Sequence, residues 1–597
     1  MTKMRGADII AEYLTKERVP YIFGLCGHGD IGFLDAFYDR KDKIKTVSVR
    51  HEQAAGHMAD AYFRVAHRPV ATFTSCGPGS TNLPTALASA MMDSSAFLSI
   101  TGNVPTSQFG RSPFQETGRH YQAEFFNVVR PYVKRSYQAT RVDQIPLMVR
   151  QAFKTMMTGR TGPVHLDVPL NCFAEEADVE VPEPSLWRDG ISSRSTGGSE
   201  LVERAMELLL GTDKPCILAG HGAALSEAAP ELIKLAELLN IPVATTANGK
   251  GVIPADHRLS LGPIGRNGSY MANESCRSCD VLLALGVKFD DRQSSSWIPG
   301  YTFNIPPTKL IHVEIDSDEM ARNYPPTIGI LGDAKTFLKE LLTKLENRKI
   351  KIDAKRNAKW LGSIGEWRKG WDSFNQPQYI SDAVPIQPER LVKDIRAIMP
   401  RDGILLADVG EHHNWLLQFY DVYQPNGFLQ SWGFASMGFG ICGVLGAKLA
   451  APDKVCVSVC GDGGFMMTPH ILCTAVEYGI PAVWIIWNNY GFNVIRHQAN
   501  GAWPKREIAT SFRCESTGEL FNPDFASLAV ACGAKGARVE KPGDFKGIFE
   551  EAIRSNGPFV IDVAVNRQAF APSTGTWVLP PFGYAEPSYG KRNLRLA

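Results

Sequence analysis

Two side chains with oxygen donors follow two neighbouring apolar runs late in the chain. Asp462 lies in the motif GDGG, which follows VCVSVC (455–460), and Asn489 comes directly after PAVWIIWN (481–488). The stretch between them has helical spacing, which predicts a strand–helix–strand unit with a right-handed crossover. The two strands are then parallel and end at one edge of the sheet, so we expect Asp462 and Asn489 to lie close together. A carboxylate and an amide oxygen suit Mg²⁺, which keeps further positions for water and phosphate oxygens.

Glycines flank Asp462 at Gly461, Gly463 and Gly464. Because they have no side chains, their backbone N–H groups can approach an anion such as a diphosphate at the start of the following helix. A glycine turn and an unrelated Asn-Asn turn would explain each motif taken separately. The crossover length and the position of Asn489 at a strand end favour a combined metal and diphosphate site.

A second candidate acid, Glu52, lies in VSVRHEQAAGHMADAY (47–62), which begins as a strand and continues as a helix. A carboxylate in the first turn of a helix is ordinary, because it complements the positive end of the helix dipole. The apolar face of the predicted helix, from Ala54 to Val65, points away from Glu52. The segment alone therefore leaves two interpretations open: a helix-start carboxylate, or an acid that takes part in chemistry.

The elements that must position these residues form three α/β blocks, in which short apolar strands alternate with helical patterns. This alternation predicts a mostly parallel sheet flanked by helices in each block. The predicted domains are 1–182, 200–346 and 380–570, followed by a tail at 571–597 with aromatic residues and prolines. The stretch 183–200 is rich in Ser, Gly and charge and is typical of a linker.

The composition is that of a globular protein, with 44% apolar residues, 21% charged residues and a formal net charge of +1. This balance gives no reason to expect a nucleic acid or an anionic membrane as a partner. No apolar run reaches the roughly 18 residues of a membrane span, and the chain starts with an amphipathic helical pattern rather than a signal peptide. The twelve cysteines lie mostly in apolar runs and are expected to be buried free thiols. These features predict a cytoplasmic protein.

The GDG motif and the Asn-Asn pair resemble the signature of thiamine-diphosphate (ThDP) enzymes. By that resemblance Asp462 and Asn489 bind Mg²⁺ through their side chains, and Gly491 binds it through its backbone carbonyl. DVGEHHNW (408–415) and GFASMGFGICGVLGAKLA (433–450) resemble the segments that contact the diphosphate and hold the rings of the cofactor. The cofactor contacts that the resemblance implies, besides Glu52, are Gly410, His412, Ala435, Met437, Gly461, Gly463, Gly464 and Asn489.

Three residues of these segments have more specific expectations. Met437 would be the apolar wedge that bends the cofactor into a V shape, and the Ala435 carbonyl would accept a hydrogen bond from the 4′-amino group. Glu411 departs from the resemblance, because related enzymes carry Gln there. A further carboxylate near a diphosphate needs a metal or another cation to offset it, so we expect Glu411 to turn away.

The resemblance also gives Glu52 a catalytic role. In ThDP enzymes a glutamate at the start of a helix, in a segment like RHEQAAGHMA, shares its proton with N1′ of the aminopyrimidine. Protonation at N1′ favours the 4′-imino tautomer, which then removes the proton from C2. On this interpretation 1–182 is the pyrimidine-binding domain and 380–570 is the diphosphate- and Mg²⁺-binding domain.

Four further segments narrow the resemblance: TSCGPGSTN (74–82), ITGNVPTSQFGRSPFQE (100–116), GRTGPVHLDVP (159–169) and LGVKFDDRQ (285–293). They are similar to the large subunit of the acetohydroxyacid (acetolactate) synthases, and the similarity covers most of 1–565. It implies ThDP-dependent decarboxylation of a 2-oxo acid such as pyruvate, followed by carboligation of the remaining unit to a second carbonyl compound.

The synthase resemblance also implies residues that face the substrates. Gln115 approaches the reacting carbonyl, Lys134 lies near the entrance of the site, and Arg292 faces the carboxylate of the second substrate. Without the resemblance, Lys134 is explained as a solvated lysine and Arg292 as a salt-bridged loop arginine.

The central block, 200–346, binds FAD in that family, whereas related enzymes use it for ADP or leave it empty. A single G-x-G after a strand is weak evidence for a dinucleotide site, so FAD, ADP and no ligand all stay open. The candidate FAD contacts are Gly220, Gly222, Gly286 and Asp290.

Two departures leave the substrate open. Synthases that prefer 2-oxobutyrate as the acceptor carry Trp where this chain has Gln498. His28 lies in FGLCGHGDIG (23–32), where synthases have a turn like Pro-Gly-Gly, and it would project towards the substrate. A similar Gly-His-Gly turn occurs in ThDP hydrolases that cleave cyclic diketones, where a histidine can handle protons. A lone loop histidine is otherwise a surface or locally bonded side chain.

These departures keep two other functions open. The first is the same fold with different chemistry: hydrolysis of a C–C bond in a cyclic diketone, or carboligation of another aldehyde. The second is a non-catalytic nucleotide-binding paralogue. The joint presence of Glu52, Asp462 and Asn489 argues against the second, because a silent protein has no physical need for all three.

The resemblance implies that the cofactor lies between the pyrimidine domain of one chain and the diphosphate domain of another. A homodimer is then the smallest active unit, and a homotetramer is a further possibility. The sequence does not identify a regulatory subunit. The aromatic tail residues form either a lid over the site or a surface-packed segment: Trp577, Phe582, Tyr584 and Tyr589.

Overall fold

The computed structural model describes residues 2–116, 124–188, 194–349, 356–580 and 585–592. Within these residues the strands form three six-stranded sheets, one in each predicted block, and one two-stranded sheet. All neighbouring strands of the three larger sheets are parallel, and helices alternate with them along the chain. The predicted α/β class, with three domains that each contain a parallel sheet, is confirmed.

The first domain contains eight strands among the described residues. They are β1 (Thr2–Arg5), β2 (Tyr21–Leu25), β3 (Lys45–Ser48), β4 (Ala71–Thr74), β5 (Leu98–Asn103), β6 (Arg135–Gln138), β7 (Val164–Pro169) and β8 (Glu176–Val179). Its helices are α1 (Gly6–Lys16), α2 (Ile31–Tyr38), α3 (Glu52–Ala66), α4 (Pro78–Thr81), α5 (Pro84–Met92), α6 (Phe125–Val128), α7 (Ile145–Met157), α8 (Leu170–Ala174) and α9 (Ser185–Arg188). The main sheet has the order β3-β2-β4-β5-β7-β6, and β1 pairs with β8 in antiparallel fashion.

The second domain is built on a sheet with a different order. Its strands are β9 (Pro215–Ala219), β10 (Val243–Thr245), β11 (Ser260–Pro263), β12 (Val281–Leu285), β13 (Lys309–Glu314) and β14 (Ile328–Leu331). Its helices are α10 (Ser199–Leu210), α11 (His221–Leu225), α12 (Ala229–Leu239), α13 (Tyr270–Ser278) and α14 (Ala334–Asn347). The order β11-β10-β9-β12-β13-β14 is 3-2-1-4-5-6 within the domain, which is the order of dinucleotide-binding sheets.

The third domain repeats the strand order of the first. Its strands are β15 (Ile404–Ala407), β16 (Phe428–Gln430), β17 (Cys456–Gly461), β18 (Val483–Asn488), β19 (Lys535–Val539) and β20 (Phe559–Ala564). Its helices are α15 (Ala358–Tyr379), α16 (Pro388–Ile398), α17 (Glu411–Phe419), α18 (Phe439–Ala450), α19 (Asp462–Phe465), α20 (Ile471–Glu477), α21 (Asn493–Ala502), α22 (Phe525–Ala531) and α23 (Pro542–Arg554). The order β16-β15-β17-β18-β20-β19 is 2-1-3-4-6-5 within the domain, and the main sheet of the first domain has the same pattern.

The central strands of the third sheet are apolar along their length because both faces are covered. Residues 456–460 of β17 and all of β18 are buried. A parallel sheet between two helical layers needs no alternation of apolar and polar residues. The runs VCVSVC and PAVWIIWN therefore mark the positions of these two strands.

Helices α3 and α18 join the first domain to the third through close backbone contact. A Cβ atom added to Gly446 would lie 2.0 Å from the carbonyl oxygen of Met58, and one added to Gly443 would lie 3.0 Å from Cβ of Ala61. Only glycine permits such an approach at position 446, because even a methyl group would overlap the backbone. The position of Glu52, at the start of α3, is thereby fixed relative to the third domain of its own chain.

The described tail residues, 571–580 and 585–592, pack against the second domain. Thr574 and Thr576 are buried, and the ring of Tyr589 meets that of Tyr270 edge-on at 4.7 Å. Phe582 and Tyr584, two of the residues considered for a lid, lie outside the described residues. The lid therefore stays a prediction.

All twelve cysteines are free thiols, and eight of them are buried. Cys276 and Cys279, which have the Cys-x-x-Cys spacing, are two of the buried ones. In the described part of the chain, no helix combines the length and the apolar character that a membrane crossing requires.

Candidate active site

Asp462 and Asn489 meet at the carboxyl edge of the third sheet. They follow the neighbouring parallel strands β17 and β18, in which Gly461 is level with Trp487. The backbone N–H of Asn489 donates a hydrogen bond to Oδ2 of Asp462 at 3.2 Å. The structure thus brings together the two residues that the crossover argument placed side by side.

The Asp462 carboxylate is buried and oriented by several donors. Its Oδ2 accepts hydrogen bonds from the N–H of Gly491 at 3.2 Å and from Nδ2 of Asn522 at 2.8 Å, and its Oδ1 accepts one from the N–H of Gly463 at 2.8 Å. Burial raises the pKa of Asp462 to about 6, and these hydrogen bonds oppose the rise. Removing a carboxylate anion from water costs free energy, and a cation bound beside it offsets part of that cost.

Asn489 is also buried, with 5% of its surface exposed. Its side-chain amide makes no hydrogen bond with any other group in the described part of the chain. A side-chain amide that lacks a protein partner keeps its hydrogen-bonding capacity for water or a ligand. Its oxygen is therefore free to accept a cation next to Asp462.

Glycines make room for a ligand around the His412 ring. A Cβ atom on Gly410 would lie 2.6 Å from Cε1 of His412, and one on Gly461 would lie 3.5 Å from it. His412 is buried, its Nε2 has no partner among the described residues, and burial lowers its pKa to about 4. A neutral imidazole with a free ring nitrogen can donate a hydrogen bond to a phosphate oxygen.

Glu411 has a side-chain partner within the protein. Its Oε1 lies 2.8 Å from Nδ1 of His497, and less than a tenth of either side chain is exposed. The His497 ring also stacks on Phe570, with ring centres 3.8 Å apart. His497 is thus the partner that this further carboxylate requires. Its neighbour Gln498 is half-buried on α21.

The loop that contains Ala435 and Met437 is held from both sides. Asp408 Oδ1 accepts hydrogen bonds from the N–H groups of Gly438 and Gly440, at 2.9 and 3.0 Å. The Met437 carbonyl accepts one from Nε2 of Gln53 at 3.4 Å. Ala435 has φ of 55°, in the left-handed region where non-glycine residues are uncommon. The residue that follows it is fixed, because the N–H of Ser436 donates a hydrogen bond to Oγ of Ser431 at 3.1 Å.

Glu52 begins α3 and is 5% exposed. Nδ2 of Asn82 donates a hydrogen bond to its Oε2 at 2.9 Å. A Cβ atom on Gly79 would lie 3.2 Å from its Oε1, so the glycine keeps this side of the carboxylate open. Both partners belong to the segment GPGSTN, and sequence analysis did not single out either of them as a partner of Glu52.

His28 lies on a short turn next to the segment that contains Asn82. Its side chain is exposed, and its Nε2 lies 3.5 Å from the sulfur of the buried Cys76. Asp30 fixes the turn, because its Oδ1 accepts a hydrogen bond from the N–H of Gly27 at 2.9 Å. The other oxygen of Asp30 is buried without a partner among the described residues, and burial, assisted by the charge of Glu52, raises its pKa to about 7.

Gln115 lies against the same loop. Its carbonyl oxygen would be 1.8 Å from a Cβ atom added to Gly77, and Gln115 itself has φ of 61°. Phe114, its neighbour, places its ring 5.8 Å from that of His28. The structure therefore brings Gln115 and His28 to one wall of the first domain, although residues 117–123 beyond them are outside the described part.

Lys134 is located elsewhere in the first domain. Its Nζ donates a hydrogen bond to the Thr158 carbonyl at 2.8 Å, and its stem packs on Gly162. Burial, assisted by the charge of Arg160, lowers its pKa to about 8. Lys134 is thus a partly buried, bonded lysine rather than a solvated one, and its role at an entrance stays a prediction.

Arg292 lies between two indole rings. Its guanidinium carbon is 4.9 Å from the ring centre of Trp432 and 5.4 Å from that of Trp577. It donates a hydrogen bond to Oδ1 of Asn414 at 2.8 Å, two residues beyond His412 on α17. Arg292 thus stands beside the helix that begins at the candidate diphosphate site.

A cavity of about 890 Å³ lies at the carboxyl ends of β9 and β12, between the second domain and residues of the first domain such as Phe63 and His67. Gly222, Gly286 and Asp290 contribute to its wall. Gly220 and Gly286 are tightly packed, because a Cβ atom on Gly220 would lie 1.9 Å from the Gly286 carbonyl. The cavity has more charged lining residues than the sequence indicated, among them Arg160, Lys288, Glu314 and Asp333.

Several residues of the site were not identified from the sequence. Asn82, Asp30, Cys76, Asn522 and His497 each act through a contact made in the folded protein. Asn82 and Asp30 are 30 and 22 positions from Glu52 in the chain. Only the glycine-rich setting of Asn82 was a signal, and it marks a turn rather than a partner for Glu52.

Comparison with known families supports the arrangement of the domains. Three family models match the chain: "Thiamine pyrophosphate enzyme, N-terminal TPP binding domain" at 4–123, the corresponding "central domain" at 202–341, and the "C-terminal TPP binding domain" at 408–563. The chain therefore belongs to the thiamine pyrophosphate enzymes, as the GDG motif and the Asn-Asn pair predicted.

Individual relatives show a more specific similarity within this family. The chain is 35% identical to the probable acetolactate synthase large subunit of Methanocaldococcus jannaschii, over 97% of this chain and 94% of that protein. It is 31% identical to the acetolactate synthase large subunit of Haemophilus influenzae, over 95% of each. It is also 31% identical to the chloroplastic acetolactate synthase of Arabidopsis thaliana, over 96% of this chain and 84% of that protein. The predicted similarity to acetolactate synthase large subunits is confirmed.

Proposed function

We propose that this enzyme uses ThDP and Mg²⁺ to decarboxylate a 2-oxo acid such as pyruvate and to join the remaining unit to a second carbonyl compound, giving acetolactate when both are pyruvate. The observation that carries the proposal is the pair of buried oxygen donors at one sheet edge, the Asp462 carboxylate and the unpartnered Asn489 amide. A third element, the buried acid Glu52, stands at the start of α3 as the pyrimidine of the cofactor requires.

The residues present fit Mg²⁺ and a diphosphate. Mg²⁺ prefers a small number of protein oxygens and completes its shell with phosphate and water, which matches one carboxylate, one amide and the Gly491 carbonyl. The diphosphate would lie against Gly410, Gly461 and His412, where glycines leave space and the ring nitrogen of His412 lacks a protein partner. Gly463 and Gly464 would continue this surface.

When bound, ThDP supplies a carbon nucleophile and a place for the electron pair that remains after CO₂ leaves. The protein supplies proton transfer, orientation and a dry surrounding. Because Asn82 donates to Oε2 of Glu52, a proton held by Glu52 resides on Oε1, on the open side next to Gly79. Met437 and the strained Ala435 would hold the rings of the cofactor in place, and Gln115 and His28 would face the substrate.

Product analysis with pyruvate tests this proposal. The purified protein is incubated with pyruvate, ThDP and Mg²⁺, and both CO₂ and acetolactate are measured. Release of CO₂ with formation of acetolactate supports the proposal. Absence of both products, from protein that binds ThDP, would reject it.

Hydrolysis of a cyclic diketone is the second candidate function. It is favoured by the contact between His28 and Cys76, a pair of proton-carrying side chains 3.5 Å apart on the wall that holds Glu52. A cyclic 1,2-diketone supplied in place of pyruvate tests it, with the ring-opened acid as the product. Rapid ring opening that is lost in His28→Gly would favour hydrolysis over carboligation.

We also propose that the cavity between the first and second domains binds FAD. Its sheet reverses order between β9 and β12, and in such sheets dinucleotides bind at the reversal. The cavity lies there, and its cationic residues Arg160 and Lys288 suit a diphosphate. A flavin absorbance band in the purified protein would support FAD, ADP in the released ligand would favour the alternative nucleotide, and nucleotide-free protein would contradict both.

We propose a homodimer as the smallest active unit, with a homotetramer as a possible larger assembly. Beside His28, the side chains of Ile31 and Phe114 are 62% and 79% exposed, and apolar exposure of this kind next to a site is typical of a surface that a partner covers. Light scattering after size-exclusion chromatography would give the assembly, and a purely monomeric active protein would contradict the proposal.

A further inference from the structure

We propose that Arg292 binds one carboxylate of the acceptor and Arg266 binds a second, so that the preferred acceptor is a 2-oxo acid with an additional carboxylate. This inference rests on the proposed carboligation, because it concerns the second substrate of that reaction. It assigns to Arg266 a role in specificity that its position in the sequence did not suggest.

The two arginines share one aromatic surface. The guanidinium carbon of Arg266 lies 5.7 Å from the ring centre of Trp577, and that of Arg292 lies 5.4 Å from the same ring. Arg292 also stacks on Trp432 at 4.9 Å. Both cations are therefore held by flat, uncharged rings, which orient a guanidinium but do not neutralise it.

The backbone around Arg266 is fixed. Its N–H donates to the Arg292 carbonyl at 3.0 Å, and its own carbonyl accepts from the N–H groups of Thr574 and Gly575 at 3.0 and 3.3 Å. The tail that carries Trp577 is thus bonded to the loop that carries Arg266. These contacts fix the backbone of Arg266 relative to that of Arg292 and to the tail.

Neither guanidinium is paired with a carboxylate within salt-bridge distance in the described part of the chain. The nearby carboxylates accept hydrogen bonds from other groups. Asp290 accepts hydrogen bonds from Nε1 of Trp432 and from a backbone N–H, at 2.8 and 3.0 Å, and Asp291 accepts one from Nε1 of Trp577 at 2.8 Å. Asp290 and Asp291 therefore offset part of the charge of Arg292 without contacting its guanidinium, whereas no carboxylate of the described residues offsets the charge of Arg266.

The surroundings make this charge costly. Burial, followed by the positive charge of Arg292, lowers the pKa of Arg266 to about 10. Nε of Arg292 is buried and has no hydrogen-bond partner among the described residues. A buried cation without a counter-charge destabilises a protein, so such a cation is typical of a site whose anion arrives as a ligand.

The location assigns this anion to the acceptor. Arg292 is hydrogen-bonded to Asn414, on the helix whose first turn contains Glu411 and His412, so the pair lies next to the cofactor. One carboxylate at Arg292 would leave Arg266 unpaired. An acceptor with a second carboxylate a few bonds away satisfies both guanidiniums, each of which can bind a carboxylate through two N–H groups.

A comparison of two acceptors of equal chain length tests the inference. With pyruvate as the donor, kcat/KM for carboligation is measured with 2-oxoglutarate and with 2-oxopentanoate, which lacks the second carboxylate. We expect a preference for 2-oxoglutarate of about tenfold or more, the size of one charge-assisted hydrogen bond. Arg266→Met should bring the ratio close to one, and Arg266→Lys should keep part of it.

Arg204→Met is the matched control, because Arg204 is an exposed arginine on α10 of the same domain. It should retain the wild-type ratio. A wild-type ratio near one, or an unchanged ratio in Arg266→Met, would overturn the inference.

A binding measurement separates this inference from the proposed function. Glutarate and pentanoate do not react, and their binding can be followed by quenching of the fluorescence of Trp432 and Trp577. Glutarate binding about tenfold tighter than pentanoate, lost in Arg266→Met, supports the site even if no carboligation occurs. If carboligation occurs but glutarate binds no better than pentanoate, the function stands and the inference fails. Inorganic phosphate that binds as tightly as glutarate would also overturn it, because the site would then accept any anion.

Discussion

One hydrogen bond determines which oxygen of the Glu52 carboxyl group can hold a proton. Asn82 occupies Oε2 as a donor, which leaves Oε1 to hold a proton next to Gly79. We predict that Glu52→Gln still binds ThDP and Mg²⁺ but loses at least about 100-fold in kcat, because an amide keeps the shape and cannot transfer the proton. Steady-state kinetics with pyruvate, together with equilibrium dialysis of ThDP, measures both quantities.

Glu200→Gln provides the control for this change, because Glu200 is exposed on α10. It should leave kcat and ThDP binding unaltered. Near-normal turnover in Glu52→Gln would show that Glu52 is only a helix-start carboxylate.

Asp30 leads to a prediction about how the stability of the protein depends on pH. Burial raises its pKa from 3.8 to about 7, so between about pH 4 and pH 7 the folded state keeps a proton that the unfolded state has released. The contribution of Asp30 to the free energy of unfolding is therefore largest at low pH. It falls by up to about 4 kcal/mol as pH rises from the unfolded-state pKa to about 7. Asp30→Asn keeps an acceptor for the Gly27 N–H and removes the titration.

Thermal midpoints of the two proteins across this range measure the effect. The variant should gain stability relative to the wild type as pH rises from about 4 to about 7, and the difference should level off above about pH 7. Midpoints that run parallel over the whole range would contradict a raised pKa for Asp30.

At the level of elements, the contact between α3 and α18 depends on one missing methyl group. We predict that Gly446→Ala lowers the unfolding free energy by about 1–3 kcal/mol, because its Cβ would lie 2.0 Å from the Met58 carbonyl and the helices must move apart. Gly547→Ala in α23 is the matched control, since a Cβ there meets no atom within 4 Å. That change should be neutral or stabilising by up to about 1 kcal/mol. Denaturant unfolding of both variants measures the difference, and equal effects would contradict the packing argument.

The strands that the sequence did not indicate lie at the edges of the sheets. Apolar runs predicted the central strands, such as β17 and β18, because these are buried on both faces. Edge strands β6 and β19 were not predicted: they carry sequences RSYQ and KGARV and are largely half-buried or exposed. An edge strand needs little apolar surface, so its sequence differs less from that of a loop. Helix α15 lies between the predicted second and third domains, and most of its surface is exposed.

The candidate site shows the same limit for a different reason. The sequence placed Asp462 next to Asn489 because one crossover connects them, and the backbone geometry of a crossover is general. His497 and Asn522 reach the site through the packing of side chains from separate segments, for which no spacing rule exists. Arg266 was overlooked because a single arginine in a glycine-rich loop gives no signal until Arg292 and Trp577 are seen beside it.

For the whole molecule, the equal strand order of the first and third sheets has a functional consequence. In the proposed homodimer, the first domain of one chain and the third domain of the other would hold one cofactor between them, so each site would combine Glu52 of one chain with Asp462 of another. The central sheet has a different order, which is consistent with its separate use for a nucleotide.

Mixing two inactive variants tests this arrangement. Glu52→Gln and Asp462→Ala are each expected to be inactive alone. After the subunits are mixed and allowed to exchange, half of the dimers contain one chain of each kind. In each mixed dimer, one site combines the intact Glu52 of one chain with the intact Asp462 of the other. About a quarter of wild-type activity should then return, because one site in half of the dimers is complete.

If Glu52 and Asp462 served the same site within one chain, every site in the mixture would contain one substitution and no activity would return. Turnover with pyruvate before and after exchange, with each variant incubated alone as the control, distinguishes the two arrangements.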